Sequence, residues 1–536
     1  MPSIRSSDTI STEGRRDLLF YGLALVAVSL LYLLVFADMP IYGDAWGYGY
    51  NSSRWISENG MPLLPSGTGR GENAGGHAAF YFWMWAVLMR LMGDSVEVAH
   101  LLPALFAFMT VAGTYRLGRE LSGRTLGVLA GTAVLISPIF LAQAFRPLPI
   151  SAAMAASVWS LLMYRRGRYA AAAGLCFFAV MMREQALLLA VSYVAAELVG
   201  KGDRKWSRIA LLATPVLVPV VNGISNYLVN GYVLPAGNTP GFDQPFSLGL
   251  FLHRLKFFGY LLVGDLRWLP ISVSSGIALG RTTGSMRAGT VAAVILCLTG
   301  AFTRFTNYFL VLLSMVLLLA VIAKKSRPDR TTVAMVLFPC LMVLSFTAIV
   351  FFTSTRMEYM FLRYLLPVFP ALVLIMLWPL DGYGWKGRVL LALFLAGTAA
   401  SNLSVRNRVN YVDSTLAGYL MPLSAIREAG VWAADTGLPI VAAGEAPMHF
   451  GNPALGYSDT SLTVVPIWDI PGGLLERELA IVVPPILPWG HDGEALLDEF
   501  LRDVGCEDRL THELTVRRGP FTADCYILKA SAQAQD

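Results

Sequence analysis

The sequence contains few charged residues. Only 14% of its 536 residues are Asp, Glu, Lys or Arg, whereas soluble globular chains carry about 25%. The net charge of +5 comes from basic residues spread over many short segments, so no nucleic-acid partner is expected. The five cysteines and six histidines have no metal-ligand spacing, which argues against a structural zinc site. The composition therefore points away from soluble globular proteins and toward membrane proteins.

Long apolar runs separate the few charges, and 55% of the residues are hydrophobic. A helix needs about 20 apolar residues to cross a hydrocarbon core, because no backbone amide can stay unpaired there. The runs predict an all-α polytopic membrane domain over residues 1–404 with about thirteen transmembrane helices. No cleavage site follows the first run, so it is interpreted as a retained span. The predicted spans are 17–37, 97–116, 125–145, 148–164, 169–182, 185–199, 207–228, 257–280, 288–303, 306–323, 331–352, 364–380 and 388–404.

The basic loops predict the orientation of these helices. Short cytoplasmic loops carry an excess of Lys and Arg, and the predicted spans bring all the basic loops to one side. The N-terminus is then cytoplasmic, in the inner (plasma) membrane, and residues 405–536 lie outside. The aromatic stretch 78–91 is about 14 residues long, a length that favours an interfacial helix over a crossing. It is therefore assigned to a long first extracytoplasmic loop, residues 38–96.

Residues 405–536 have a different pattern, in which apolar strands alternate with helices. This pattern predicts a small C-terminal α/β domain outside the cytoplasm. Cys506 and Cys525 lie in this domain, where an oxidising compartment would permit a disulfide. The predicted helices are 425–436 and 494–504, and the predicted strands are 438–443, 479–483, 512–516 and 524–529.

Asp44 lies in the first outer loop, a few residues beyond the first span. Two interpretations fit the local sequence. A carboxylate at the membrane surface could act as a general base on a hydroxyl, and the aromatic residues Tyr42, Trp46 and Tyr48 would suit a sugar ring. Alternatively, the aromatic residues anchor an interfacial loop and the aspartate caps a helix.

Several arginines occur in loops predicted to lie outside, where the positive-inside rule expects few. Guanidinium groups at the outer membrane edge could bind a lipid phosphate through bidentate, charge-assisted hydrogen bonds. Each arginine taken singly could instead extend to headgroups or pair locally, as Arg356 could with Glu358. As a set they favour an anionic lipid ligand. They are Arg146, Arg183, Arg304, Arg356 and Arg363.

A series of short motifs follows a fixed order along the chain. In that order they resemble the GT-C superfamily of membrane glycosyltransferases, nearest the aminoarabinose lipid A transferases and the protein O-mannosyltransferases. The resemblance covers residues 17–200 best. The motifs are Gly43-Asp44-Ala45, Gly76-His77 followed by an aromatic helix, Gly118-Arg-Glu-Leu-Ser-Gly-Arg, Ser137-Pro, Arg146-Pro, Met182-Arg183-Glu-Gln-Ala-Leu and Arg363-Tyr-Leu-Leu-Pro-Val-Phe-Pro.

The resemblance implies transfer of a sugar from a polyprenyl-phosphate donor to a hydroxyl on a lipid, glycan or protein acceptor. In that reaction Asp44 would be the base of an inverting attack, and Arg183, with His77, Arg363 and Arg146, would hold the donor phosphate. Tyr42, Trp46, Tyr48 and Glu358 would contact the sugar or the acceptor.

The chain departs from the family pattern at two positions. Family members often have a second acid after the first aspartate, and here Ala45 replaces it. They often have an Asp in the outer loop after the third span, where this chain reads Arg146-Pro-Leu-Pro. Both departures argue against a metal site, so no metal ligand is assigned, although a divalent cation stays open as a cofactor.

Two other classes of function share some of these features. A transporter or flippase also has many spans, but an internal repeat with broken helices would be expected, and the sequence has none. An O-antigen-type ligase or polymerase would concentrate its charges in a large late loop. Here the long segments outside are the first loop and the C-terminal domain.

Overall fold

The structure is a computed structural model of the full chain, and it is mostly helical with a small C-terminal sheet. At a few positions inside helices only the backbone is described. The structure describes residues 12–41, 45–60, 80–199, 205–230, 233, 247–249, 251–252, 268–302, 329–352, 362–378, 384–401, 416–442, 450, 452, 455–457, 462–467, 470, 474–484, 493–504, 507–518 and 521–530.

Helices, most of them apolar, make up most of the described residues in the first part of the chain. Short π-helical segments at Tyr32–Phe36 and Ala45–Tyr50 extend α1 and precede α2, and a 3-10 turn at Glu184–Ala186 precedes α9. The helices are α1 (Thr12–Leu31), α2 (Asn51–Asn59), α3 (Phe80–Met92), α4 (Val96–Ser122), α5 (Arg124–Leu135), α6 (Pro138–Gln143), α7 (Ile150–Arg165), α8 (Tyr169–Met182), α9 (Leu187–Val199), α10 (Trp206–Ala213) and α11 (Leu217–Asn230).

The later helices complete the bundle and lead into the C-terminal domain. A 3-10 helix at Leu362–Val368 directly precedes α15. The helices are α12 (Trp268–Thr283), α13 (Met286–Phe302), α14 (Arg330–Phe352), α15 (Phe369–Leu377), α16 (Gly384–Ser401), α17 (Leu416–Asp435) and α18 (Gly493–Val504).

Three helical segments in the described residues are long and apolar enough to cross a membrane: Glu13–Phe36, Val96–Ser122 and Trp206–Leu228. Large apolar side chains such as Leu23 and Leu34 are exposed along the first of them, which is the surface that lipid tails would cover. Other apolar helices are 10–17 residues long. The total of about thirteen spans therefore stays a prediction.

Helices α1 and α4 run antiparallel. At one end, Asp17 near the start of α1 pairs with Arg116 (Nη1–Oδ2, 3.2 Å) and with Arg119 near the end of α4. At the other end, the Tyr32 hydroxyl donates to the Glu97 carbonyl over 3.0 Å. The segment between the two helices, which carries α2 and α3, therefore begins and ends on the same face of the bundle.

The predicted orientation of the helices can be tested directly with reporter fusions. If α3 does not cross the membrane, reporter fusions at three basic loops will report cytoplasm and fusions at three outer segments will report the other side. A signal from outside at Arg119 would mean that α3 is a span and that every later loop is reversed. The inner positions are Arg119, Lys201 and Lys325, and the outer positions are Gly71, Gly237 and Ala443.

The aromatic side chains of α3 do not have the environment that the sequence predicts. The sequence places them at the headgroup level, whereas Tyr81, Phe82 and Trp85 are buried inside the protein. Phe80, at the start of α3, contacts Phe178 of α8 edge-on, with ring centroids 5.8 Å apart. Burial of these rings packs the first outer loop against the helical bundle.

The predicted span 125–145 is broken into two helices, α5 and α6. Ser137 between them is extended (φ −67°, ψ 131°), because the following Pro138 disfavours a helical conformation at the residue before it. The short helix α6 therefore leads away from α5 and into the turn that carries Arg146.

The C-terminal domain contains a five-stranded sheet in the order β2-β1-β3-β5-β4, with β1 parallel to β2 and β3, and with β5 antiparallel to β3 and β4. Cys525 in β5 is buried and is a free cysteine, and burial raises the pKa of its thiol to about 12. Cys506 lies outside the described residues. The strands are β1 (Ile440–Ala442), β2 (Val464–Pro466), β3 (Leu479–Val483), β4 (Leu510–Arg518) and β5 (Phe521–Leu528).

The C-terminal domain is docked against the end of the bundle where α1 ends and α4 begins. Helix α17 packs against β3, β4 and β5 and also contacts α6. The Ile41 amide donates to the Leu455 carbonyl over 2.9 Å, and Arg427 Nη1 lies 3.3 Å from Asp38 Oδ2. These contacts attach the domain to the chain that enters the first outer loop.

Candidate functional site

The structure describes the predicted site residues to three different extents. Arg146 and Arg183 are described with their side chains, and both are buried, with exposed fractions of 2% and 4%. For Trp46, Tyr48 and Arg363 only the backbone is described. The residues that lie outside the described part of the chain are Tyr42, Asp44, His77 and Glu358.

Arg183 lies where α8 ends. Its backbone is extended (φ −151°, ψ 124°), so the chain leaves the helix and turns into Glu184–Ala186. Its guanidinium lies over the ring of Tyr364, with Cζ 5.5 Å from the ring centroid. Among the described residues, the buried Nε–H group has no hydrogen-bond partner. No ion pair found between described residues includes this arginine. A buried cation in this state favours an anionic ligand.

Arg146 lies in the turn between α6 and α7. Its Nη1 donates to Gln143 Oε1 over 3.3 Å, and its guanidinium lies 5.2 Å from the ring centroid of Tyr419 in α17. The whole residue is buried. The side chain is therefore enclosed by its own turn and by the helix that carries the C-terminal domain.

The 3-10 helix Leu362–Val368 brings the elements that carry three of the five predicted arginines into one region, and Arg304 and Arg356 lie outside the described residues. It contacts α6 and α7, which flank Arg146, and it contacts the turn Glu184–Ala186, which follows Arg183. The same helix contains Arg363 and the Tyr364 ring under Arg183. Residues far apart in the sequence thus share one end of the bundle.

His100, which was not singled out in the sequence, joins this region to the first outer loop. Its Nδ1 lies 2.6 Å from the Phe145 carbonyl oxygen and its Nε2 lies 2.9 Å from the Met39 carbonyl oxygen. The ring is fully buried. Phe36 stacks on Phe145 with ring centroids 4.5 Å apart. The chain that leads to Asp44 and the turn that carries Arg146 are therefore held together.

Replacing His100 tests this link. His100→Ala should lower the midpoint of thermal unfolding by several degrees, because a neutral imidazole donates to one of the two buried carbonyl groups, and leaving that group without a partner costs about 1–3 kcal/mol. His512→Ala is the matched control, because His512 is an exposed histidine on β4. An equal midpoint in the two variants, measured by tryptophan fluorescence in detergent, would mean that His100 does not hold these segments together.

Tyr50 connects the first outer loop to the C-terminal domain. Its hydroxyl donates to Asp94 Oδ2 over 2.7 Å and accepts from Asn452 Nδ2 over 3.0 Å. Burial, together with the Asp94 carboxylate, raises the pKa of Tyr50 to about 12, so the hydroxyl stays protonated and keeps donating at neutral pH. Tyr50 ends the helical turn that contains Trp46 and Tyr48.

No group of three or more His, Cys, Asp or Glu side chains that could hold a metal ion occurs among the described residues. The described part of the site is basic and aromatic, which suits an oxyanion and a ring rather than a cation. Asp44 and Glu358, the acids predicted for the site, lie outside this part of the chain.

The sequence singled out the arginines as candidates but not the side chains that surround them. Tyr364 directly follows Arg363 in a motif noted in the sequence, so its position was a usable signal. Gln143 and Tyr419 had no such signal, because their role depends on the turn before α7 and on the packing of α17.

No protein-family model and no curated protein sequence matches this chain. Solved structures similar to it are GT-C superfamily membrane glycosyltransferases. ArnT from Cupriavidus metallidurans in the apo state is 15% identical, with a TM-score of 0.43 over 96% of this chain and 98% of ArnT. The same enzyme bound to undecaprenyl phosphate is 16% identical, with a TM-score of 0.41 over 97% and 99%.

The archaeal oligosaccharyltransferase AglB from Archaeoglobus fulgidus, in complex with an inhibitory peptide and a dolichol-phosphate, is 11% identical. Its TM-score is 0.43 over 88% of this chain and 70% of AglB.

Proposed function

We propose that this chain is an integral membrane glycosyltransferase. It moves a sugar from a polyprenyl-phosphate-linked donor to a hydroxyl of a lipid, glycan or protein acceptor on the extracytoplasmic side of the plasma membrane. The N-terminus is cytoplasmic and residues 405–536 form the extracytoplasmic domain. The observation that carries the proposal is the buried guanidinium of Arg183, whose Nε–H has no hydrogen-bond partner in the part of the chain that the structure describes.

A lipid phosphate fits this arginine for an energetic reason. Taking a cation out of water costs several kcal/mol, about 3–5 kcal/mol when its partner is missing, and an anion offsets the cost. A phosphate at the membrane edge supplies the anion, and its oxygens match the guanidinium fork. Arg146 and Arg363 belong to elements that meet at the same end of the bundle, so they can add further donors.

The chemical step is an inverting displacement at the anomeric carbon. The acceptor oxygen forms the new bond while the bond from that carbon to the donor phosphate oxygen breaks. Asp44 takes the acceptor proton, and the polyprenyl phosphate leaves with the electron pair. Arg183, assisted by His77, Arg363 and Arg146, offsets the charge that develops on the leaving phosphate.

Described residues on both sides of Asp44 support its role as the base. Ile41 and Ala45 flank residues 42–44 and are fully buried. His100 links the carbonyl of Met39 to that of Phe145, which is next to Arg146. The segment that carries the proposed base thus starts beside the turn that carries a proposed phosphate ligand. Trp46, Tyr48, Tyr42 and Glu358 are proposed to contact the sugar or the acceptor.

Transfer by the purified full chain tests the proposal. Lipid-linked sugars extracted from native membranes, radiolabelled in the sugar, are incubated with the protein and with extracted acceptor lipids, glycans and proteins. A transferase releases unglycosylated polyprenyl phosphate and moves the label to a new product. Label that stays on the donor lipid with every acceptor fraction would contradict a transferase and favour a transporter.

A further inference from the structure

A second cluster of charged side chains lies at the opposite end of α8 from Arg183. Its centre is Glu197 near the end of α9, whose side chain is only 1% exposed. Oε1 accepts from the Tyr164 hydroxyl over 2.9 Å, and Oε2 accepts from Arg208 over 3.2 Å and from Arg330 over 2.9 Å. Two guanidinium groups thus share one carboxylate, and the cluster carries a net charge of +1.

Arg330 uses only part of its guanidinium in this cluster. Its Nη1 binds Glu197, whereas its Nε and Nη2 are buried and have no hydrogen-bond partner among the described residues. These two nitrogens share one edge of the guanidinium and form a fork that fits two oxygens of one anion. Arg166 lies at the same end of the bundle, and the same two nitrogens of its guanidinium already donate to a carboxylate. Its Nε lies 3.0 Å and its Nη2 lies 2.6 Å from Glu120 Oε1.

An exposed aromatic residue beside the cluster is typical of a membrane interface. Trp206 begins α10, two residues before Arg208, and 69% of its side chain is exposed, as expected for an aromatic residue at the headgroup level. Arg208 also lies over the ring of Tyr169 at the start of α8, 4.1 Å from the centroid. Arg183 follows the other end of α8, about 20 Å away at 1.5 Å per residue. The two regions are separate.

We propose that Arg330, supported by Arg208, binds the phosphodiester of an anionic membrane lipid at this end of the bundle. The two non-bridging oxygens of the phosphodiester accept from Nε and Nη2 of Arg330. An anionic headgroup neutralises the net charge of the cluster, whereas a zwitterionic headgroup brings its own cation and does not. Anionic lipids are enriched in the cytoplasmic leaflet, and the basic ends of the helices face that leaflet in the predicted orientation.

Thermal unfolding of the purified full chain in mixed micelles measures this binding. Phosphatidylglycerol should raise the unfolding midpoint of the wild type, and phosphatidylcholine should not. In Arg330→Lys the charge beside Glu197 remains but the fork is lost, so the apparent affinity for phosphatidylglycerol should fall about tenfold. Arg166→Gln is the matched control. It removes a positive charge from the same end of the bundle, but the Nε and Nη2 of Arg166 already donate to Glu120.

Three other results would contradict the binding of an anionic lipid by Arg330. An equal response to phosphatidylglycerol in wild type and Arg330→Lys would overturn it. A response to inorganic phosphate as large as the response to phosphatidylglycerol would replace the lipid with a soluble anion. If Arg330→Lys does not fold, Glu197→Gln gives the test, because it raises the charge of the cluster and should tighten phosphatidylglycerol binding. Unchanged or weaker binding in Glu197→Gln would then overturn the assignment.

Discussion

Asp44→Asn is expected to lower sugar transfer by about 10²–10⁴-fold, the contribution of a positioned general base. Asparagine is nearly the same size as aspartate and keeps its hydrogen-bonding capacity, but it cannot take the proton of the acceptor hydroxyl. Expression, the midpoint of thermal unfolding and donor binding should stay close to those of the wild type. The measurement is transfer from a polyprenyl-phosphate sugar by the purified variant beside the wild type.

The helix-cap interpretation of Asp44 gives a different result. Asparagine caps a helix about as well as aspartate, so turnover would be retained with at most a small loss of stability. Asp94→Asn is a suitable control, because Asp94 is another acid of the first outer loop and accepts from Tyr50. Near-normal turnover in Asp44→Asn would rule out Asp44 as the general base and would contradict the inverting mechanism proposed for this protein.

Arg183→Met is expected to change donor binding and stability in opposite directions. The affinity for polyprenyl phosphate should fall about 10- to 100-fold, because charge-assisted hydrogen bonds contribute about 1.5–3 kcal/mol. The midpoint of thermal unfolding without donor should stay the same or rise, because a buried cation without a carboxylate partner is replaced by an apolar side chain of similar length. Donor binding is measured by displacement of a fluorescent polyprenyl phosphate.

Two further variants separate charge from geometry at this position. Arg183→Lys keeps the charge but loses the bidentate fork, so donor affinity should lie between wild type and Arg183→Met. Arg502→Met, at an exposed arginine of α18 that donates to the Asp498 carbonyl, should leave donor affinity unchanged. A purely structural Arg183 would instead lose stability in both variants, and its donor affinity would follow the amount of folded protein.

Local patterns in the sequence were sufficient for much of the secondary structure. Residues 169–182 and 479–483 were predicted with the bounds that α8 and β3 have in the structure. Helix 331–352 begins one residue late, and helix 494–504 also begins one residue late. Apolar length and periodicity define these elements, and both are properties of consecutive residues.

Elements that depend on non-local pairing were missed or misjudged. Strand β2 (Val464–Pro466) is only three residues long and is defined by its parallel pairing with β1. The aromatic residues of α3 look interfacial in the sequence, and packing against α8 helps to bury them. Helix α17 begins nine residues before the predicted start, and it contacts both α6 and the sheet.

The sequence by itself determined the apolar helices and the alternating C-terminal domain, and it singled out the basic residues proposed to bind a phosphate, because composition and spacing are local properties of the chain. Only the tertiary structure decided that Arg146 meets Tyr419, that Arg183 meets Tyr364 and that His100 joins two distant carbonyls. These contacts join residues 45 to 273 positions apart. Their formation depends on how the helices pack and where the backbone turns, and no local pattern specifies that packing.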